Sequence, residues 1–438
     1  MNRFVAPFFF SLVLGASPLG AQAPDPKPLT LDQAVQAVRT NPLVTQAQTE
    51  VSAARSLVAQ AQGAFLPTLD TSASWQRALP QQQQNTGAGY VAATPLDYWD
   101  LTLGVREVIW DFGKRQGAVT RAQGGARSAA AGARQTAADL TYQTVRAFWS
   151  VVFLKEELGS LEEQRKDLVQ HLNAVQLKAG TGSGTKYDVL NTQVRVTSLE
   201  GQKIETNRQL TDQRLLLGRL VGAAPETWEV DGHPGVRTTA RSQPDLVGQA
   251  LGTRAEIEAA RAAAEGAEGA VQSALARWTP DLSATAAAGL QNPLLTQDNQ
   301  DLGRPMLHGT VGLTLSLSGL NPAQVAGQAD EARFRLDEAR QNLASTRDEV
   351  ASQVERAFAG YQSSLSAWDN AREQSGQARQ AVEAASLQYD LGVISNDTYL
   401  NSHLAYEQAR LSELRVLFTQ MAAYFGLAQA VGVEPDGL

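Results

Sequence analysis

Three glycines alternate with small hydroxyl residues in "AGTGSGTKYD", Ala179 to Asp188, and a lysine follows. Such a run could cradle a phosphate, because a glycine-rich loop at a helix N-terminus presents backbone N–H groups to an anion. That chemistry needs a lysine directly after the last glycine, with Ser or Thr next. Here Thr185 intervenes and Tyr187 follows Lys186. A phosphate loop also follows a buried strand, whereas the residues before Ala179 carry a helical period. The stretch therefore reads as a sharp turn between helices. His171, His233, His308 and His403 are scattered, without the spacing of a metal-ligand set. No Ser/His/Asp group has a recognisable setting. The carboxylates are spread along helical faces and read as solvated. An enzyme is not expected, nor a cofactor, so energy for any transport must come from a partner.

The bulk numbers narrow the class. The chain has 438 residues, a formal charge of −8 and no cysteine. Thiolate metal sites, disulfides and a lipid-modified N-terminal Cys are excluded. No basic run is present to meet nucleic-acid phosphates. Ala, Gln, Arg and Glu are abundant over long distances, which favours long helices packed through small residues. At the N-terminus, Arg3, the apolar Phe4–Leu14 and small residues up to Ala21 form a secretory signal peptide over 1–21. That apolar run is too short for a transmembrane helix, which needs about 20 residues. No later segment is long and apolar enough either.

An internal repeat organises the rest. "AFLPTLDTSAS" at 64–74 aligns with "RWTPDLSATAA" at 277–287, and "VRAFW" at 145–149 aligns with "ERAFA" at 355–359. The chain reads as two copies of one unit, 30–222 and 244–432, joined by a Pro-, Gly- and polar-rich linker at 223–243. Each copy has the same order: an Ala-rich helix ending at a proline, two short alternating segments, a very long helix, a tight turn and a further helix.

The short segments fall at about 67–78 and 98–110, then at about 280–290 and 308–318. Leu101, Leu103 and Val105 alternate with Thr102, Gly104 and Arg106; Val311, Leu313 and Leu315 alternate with Gly312, Thr314 and Ser316. Period 2 means strands with one apolar and one polar face. Each segment has the length of a tilted membrane-crossing strand, about 9–11 residues. Trp75, Trp99, Trp110 and Trp278 lie at or near segment ends, where interfacial aromatics belong. On this reading Leu101, Leu103, Val311, Leu313 and Leu315 face lipid, while Arg106, Thr314 and Ser316 face a lumen. A soluble hairpin packed on the helices is the alternative. The long helices, about 114–178 and 323–390, weigh against it. The first alone spans about 98 Å at ~1.5 Å per residue. In the second, Leu336, Leu343, Val350 and Ala357 recur every seven residues, as a coiled-coil seam does.

The exported, duplicated chain, with "LPTLDTSASW", "VREVIWDFGKRQGAV", "GTKYDVLNTQ" and "QYDLGVISNDTYLNS" in this order, resembles the TolC-like outer membrane efflux proteins. The resemblance covers about residues 30–432. It implies a mainly α protein with a small transmembrane β part, assembled as a homotrimer with an α-barrel and a shared 12-stranded β-barrel. Four strands alone cannot close a barrel, and an open edge cannot sit in lipid. The implied role is the outer-membrane exit duct of a tripartite efflux or type I secretion system. It would contact outer-membrane lipid, a periplasmic adaptor and an inner-membrane pump of RND, ABC or MFS type, in a Gram-negative bacterium, with no nucleic acid.

The resemblance also places the closing end of the duct at the two tip turns, 179–188 and 391–398. Gly180 aligns with Gly392, each expected to stop a helix with positive φ. Asp188 falls at a family acid of the first tip, and Tyr389 matches the second tip's tyrosine. The family's paired acids fall at Thr398 and Asn401, with Asp397 one position before the first, and a tip arginine falls at Ile394. The closing network is therefore expected to differ here. Helix capping is a further role for Asp188 and Asp397. Two rivals remain: a periplasmic coiled-coil adaptor, which usually has one helical hairpin, and a coiled-coil scaffold, which gives no reason for four lipid-length strands.

Overall fold

A computed structural model describes residues 27–77, 83–85, 87–92, 97–182, 184–291, 305–317, 321–435 and 437–438. The expected signal peptide, 1–21, lies outside the described residues. The first repeat comprises β1 (Lys27–Leu29), α1 (Leu31–Val38), α2 (Pro42–Gly63), β2 (Thr68–Arg77), the short β3 (Gln83–Asn85) and β4 (Tyr90–Ala92), β5 (Asp97–Trp110), α3 (Lys114–Gly180) and α4 (Lys186–Val221). After β6 (Trp228–Val230) the second repeat runs through α5 (Gln243–Thr253), α6 (Ala255–Leu275), β7 (Asp281–Gln291), β8 (Met306–Ser316), α7 (Pro322–Asp390) and α8 (Asn396–Val431).

Helix starts follow local capping chemistry. Thr30 and Gln33 form a capping box on α1, and Thr185 with Asp188 forms another on α4. Asn41 before Pro42 and Asn321 before Pro322 cap α2 and α7 with a proline in the first turn. Between β5 and α3 the chain reverses at Phe112, a non-glycine residue at φ 55°. Asp111 holds that reversal: its carboxylate accepts from Gly113 N–H (3.1 Å), Arg115 N–H (2.9 Å) and Arg115 Nε (2.8 Å).

Strands β2, β5, β7 and β8 form one antiparallel sheet in that spatial order, so β2 and β8 are its edges. The register gathers the apolar residues. Leu69 pairs with Val105, Val105 with Ala286, and Ala286 with Val311; Leu103 pairs with Ala288, Ala284 with Leu313, and Leu282 with Leu315. On the opposite face lie Arg106 beside Thr285, and Thr314 beside Ser283. Val311, Leu313 and Leu315 are all exposed, Leu313 at 71%. A sheet with an uncovered apolar face is unfinished in water.

The helices carry the length. At 67 residues α3 spans about 100 Å. Its first half packs against α2 and α6, and its second half against α4 and α8; α7 packs along α6 and α8. The approach of α3 to α6 is close because both present glycine. A Cβ on Gly124 would lie 2.6 Å from the Ala262 carbonyl oxygen and 2.6 Å from Gly266 Cα. Ion pairs flank this seam, Arg127 with Glu265 and Arg134 with Glu258. Among the described residues, no helix is long and apolar enough to cross a membrane.

The main core lies at mid-helix. Phe148 and Trp149 of α3, Leu217 of α4, Leu246 of α5, Val354 and Tyr361 of α7 and Phe425 of α8 are buried together. β1 and β6 pair in parallel over this waist, Leu29 opposite Val230. The linker then runs without regular structure. Its Thr239 N–H donates to the Tyr361 hydroxyl (2.9 Å) and its Arg237 N–H to Gln420 Oε1 (3.1 Å).

Candidate functional site

The tip turns lie at the ends of the helical hairpins farthest along α3 and α7 from the sheet. Leu391, Gly392, Val393, Ile394 and Ser395 join α7 to α8. Gly392 adopts φ 74°; its N–H donates to the Tyr389 carbonyl (3.0 Å), and Val393 N–H donates to the Gln388 carbonyl (2.8 Å). These two bonds are a Schellman stop, which needs a left-handed residue after the helix cap. In the first tip that residue is Gly182, at φ 81°, and not Gly180. Gly180 is the last residue of α3 and its conformation is helical. This corrects the sequence alignment of Gly180 with Gly392. Both turns have five residues, and the tips correspond at the same 210-residue offset that relates Gly222 to Gly432, the left-handed caps of α4 and α8. Of the alternating glycines, Gly182 is the one that ends a helix.

Asp188 is committed to its own helix. Its Oδ2 accepts from Thr185 N–H (3.1 Å) and Thr185 Oγ1 (2.6 Å), while its N–H donates to Thr185 Oγ1 (3.1 Å). Ser395 caps α8 in the same way by accepting from Thr398 N–H.

A polar network between α4 and α8 joins the two hairpins at the tip. Arg195 donates to Asn401 Oδ1 at 2.8 Å and lies 3.9 Å from Asp397. Asn191 donates to Asp397 Oδ1 (3.2 Å), and Asn401 donates to Asp397 Oδ2 (3.3 Å). Of the residues expected at the closing end, Asp397 and Asn401 meet in this network, whereas Gly180 and Asp188 stay outside it. Ile394 cannot supply a charge. Arg195 supplies one instead, from the opposite hairpin.

An aromatic cluster backs the network. Tyr389 of α7 stacks on Tyr399 of α8 with ring centroids 5.4 Å apart, and His171 of α3 lies 5.3 Å from the first ring and 4.6 Å from the second. The Lys178 ammonium sits 4.1 Å above the Tyr389 ring, a cation–π contact. His171 Nε2 is 2.7 Å from Asn396 Oδ1. Burial holds the His171 imidazole below its ordinary value, although the Asn396 bond works the other way. Burial also raises the Tyr399 hydroxyl. Tyr399 lies 6.1 Å from the His403 ring as well, so two histidines that look scattered in sequence share one cluster. Among the described residues, no group of His, Asp and Glu could hold a metal ion.

The comparisons with known proteins agree with this architecture. No curated protein matches the chain by sequence. Solved structures share its fold. The outer membrane protein VceC of Vibrio cholerae superposes with a TM-score of 0.77 at 20% identity, covering 92% of this chain and 96% of that one. The CmeC outer membrane channel of Campylobacter jejuni gives 0.77 at 16% identity, over 92% and 85%. The open MtrE outer membrane channel of Neisseria gonorrhoeae gives 0.77 at 17% identity, over 92% and 89%. A family model for outer membrane efflux proteins matches residues 34–223 and again 246–433, once per repeat. The duplicated chain, with its sheet at one end and its paired turns at the other, belongs to the outer membrane efflux protein family.

Proposed function

We propose that this chain is the outer-membrane exit duct of a tripartite efflux or secretion system, passively conducting substrates out of the periplasm. The carrying observation is the sheet: four strands of lipid-spanning length with an exposed apolar face and open edges at β2 and β8. Lipid offers no partner to unpaired backbone groups, so such a sheet can cross a membrane only by pairing with further copies. Three copies give a 12-stranded barrel continuous with a helical tube, as the homotrimeric reading requires. In it, Leu101, Leu103, Val311, Leu313 and Leu315 face lipid and Arg106, Thr314 and Ser316 face the lumen. The signal peptide at 1–21 supports export across the inner membrane of a Gram-negative cell.

At the far end, Leu391 and Val393 of the second turn and Tyr187 in the first turn of α4 are exposed side chains with large apolar surfaces, suited to a periplasmic adaptor. The adaptor would couple the duct to an inner-membrane pump of RND, ABC or MFS type. A soluble adaptor or scaffold would not leave this sheet face bare.

Outer-membrane fractionation with cysteine crosslinking between β2 and β8 tests the reading. The native chain has no cysteine, so engineered pairs report cleanly. A crosslinked trimer from the outer-membrane fraction is the expected result. A soluble periplasmic monomer would overturn it.

A further inference from the structure

Behind the tip network, α3, α4 and α8 enclose a small apolar core of Leu161, Leu168, Leu199 and Leu400. His403 and Glu407 stand on successive turns of α8 at its margin, with 3.7 Å between Nε2 and Oε1. Glu407 is only 7% exposed, and neither its Oε2 nor His403 Nε2 has a hydrogen-bond partner. A carboxylate buried without partners is costly, and the carboxylic acid far less so.

The surroundings sharpen that preference. From α3, Asp167 and Glu163 bear on Glu407 with like charge. Arg410 of α8 bears on it favourably, but its guanidinium is bonded to Glu163 at 2.8 Å. From α4, Arg195 acts on His403 and is bonded to Asn401. Asp390 of α7 and Lys178 of α3 act on His171, which in turn acts on His403. Burial first, then Asp167 and Glu163 against the pull of Arg410, push the Glu407 carboxyl up to about 7.

We propose that Glu407 is a proton-held latch: the closed tip packs α8 against α3 with this carboxyl protonated, and loss of the proton loosens the seam. The proposal rests on reading the tips as the closing end of a duct.

The packed value lies above the ordinary 4.5, so protonation favours the packed seam fully below that pH. The contribution is lost as pH rises to about 7. His171 and His403 act in the opposite sense. Burial holds both below 6.5, so they disfavour the packed seam as pH falls. The His171 effect is common to wild type and Glu407→Gln and cancels when the two are compared; His403, 3.7 Å from Glu407, is held constant by repeating the comparison in a His403→Gln background.

The test is single-channel recording of the full-length assembly in planar bilayers from about pH 5 to pH 8, for wild type and Glu407→Gln. Relative to the variant, the wild-type open-to-closed ratio should climb with pH, by at most about tenfold per unit as one proton leaves, and level off above about 7. Parallel pH profiles would overturn the latch. Hydrogen exchange over residues 396–411, corrected for intrinsic rates, gives a second readout. Toward alkaline pH, wild type should lose protection relative to Glu407→Gln. If neither protein passes current, the duct reading fails while the exchange data still decide the latch. The same pH dependence of protection in wild type and Glu407→Gln would then reject it.

Discussion

Arg195 on α4 and Asn401 on α8 stand 206 residues apart in the chain and are joined at the tip by a 2.8 Å hydrogen bond. Asp397 lies within 3.9 Å of the same guanidinium and accepts from Asn191 and Asn401. These bonds tie together the helices that begin after each turn.

Removing the tie should favour separation of the hairpins. On the proposed duct reading, Asn401→Ala removes the 2.8 Å acceptor of Arg195 and should cost the closed tip about 1 kcal/mol, or about fivefold in the open-to-closed ratio. Bilayer conductance measures this. Asp188→Ala should act differently, weakening the first turn of α4 by about 1 kcal/mol through the lost cap and leaving the ratio close to wild type. A large conductance gain from Asp188→Ala would return that residue to the gate.

The sheet register makes a second contrast. Leu313 lies on the apolar face opposite Ala284, and Thr314 on the polar face opposite Ser283. Leu313→Arg should impair membrane insertion by about 2–4 kcal/mol at mid-bilayer, and Thr314→Arg far less. Heat-modifiable assembly in outer-membrane fractions reads the difference. Equal tolerance would exchange the assigned faces.

Gly124 and Gly125 separate packing from propensity within one helix. A Cβ at 124 meets the Ala262 carbonyl at 2.6 Å, while nothing lies within 4 Å of one at 125. Gly124→Val should destabilise the α3–α6 seam by about 1–3 kcal/mol. Gly125→Ala should be neutral or stabilising, by up to about 1 kcal/mol. Thermal denaturation of both variants checks this.

Asp111 predicts an acid limb in stability. Its burial tends to raise the carboxyl, but hydrogen bonds from Arg115 and Gly113 outweigh that and hold it below 3.8. The contribution is present above 3.8 and lost as pH falls through the lower folded value. Asp111→Asn should lose about 1.5–3 kcal/mol at neutral pH, the worth of bonds to a charged group. It should also flatten the acid limb in a pH series of melting curves.

The sequence and the structure part company for identifiable reasons. Period-2 alternation locates the strands closely: the expectation of 280–290 meets a strand at Asp281–Gln291. A proline-free run places α3 at Lys114–Gly180 against an expected 114–178. Both signals are local, set by how side chains alternate around a backbone. The tip was harder. Gly180, Gly182 and Gly184 are equally able to end a helix by residue type, and choosing among them needs the φ values. The 210-residue offset that relates 145–149 to 355–359 was the available signal for Gly182. His171, Arg195 and Asn191 gave none, because their partners lie more than 200 residues away on another helix.

The parallel clasp between β1 and β6 sets an order of events. Lys27–Leu29 find their backbone partners only at Trp228–Val230, the far side of the first repeat. A chain delivered from its N-terminus therefore carries an unpaired strand until nearly two hundred further residues have emerged. Closing so long a loop adds only slowly to the entropic cost, which grows with the logarithm of its length. The delay is instead one of supply. The first repeat can wind its hairpin early, but its waist is sealed only when the linker arrives, so the first repeat emerges long before it can be completed.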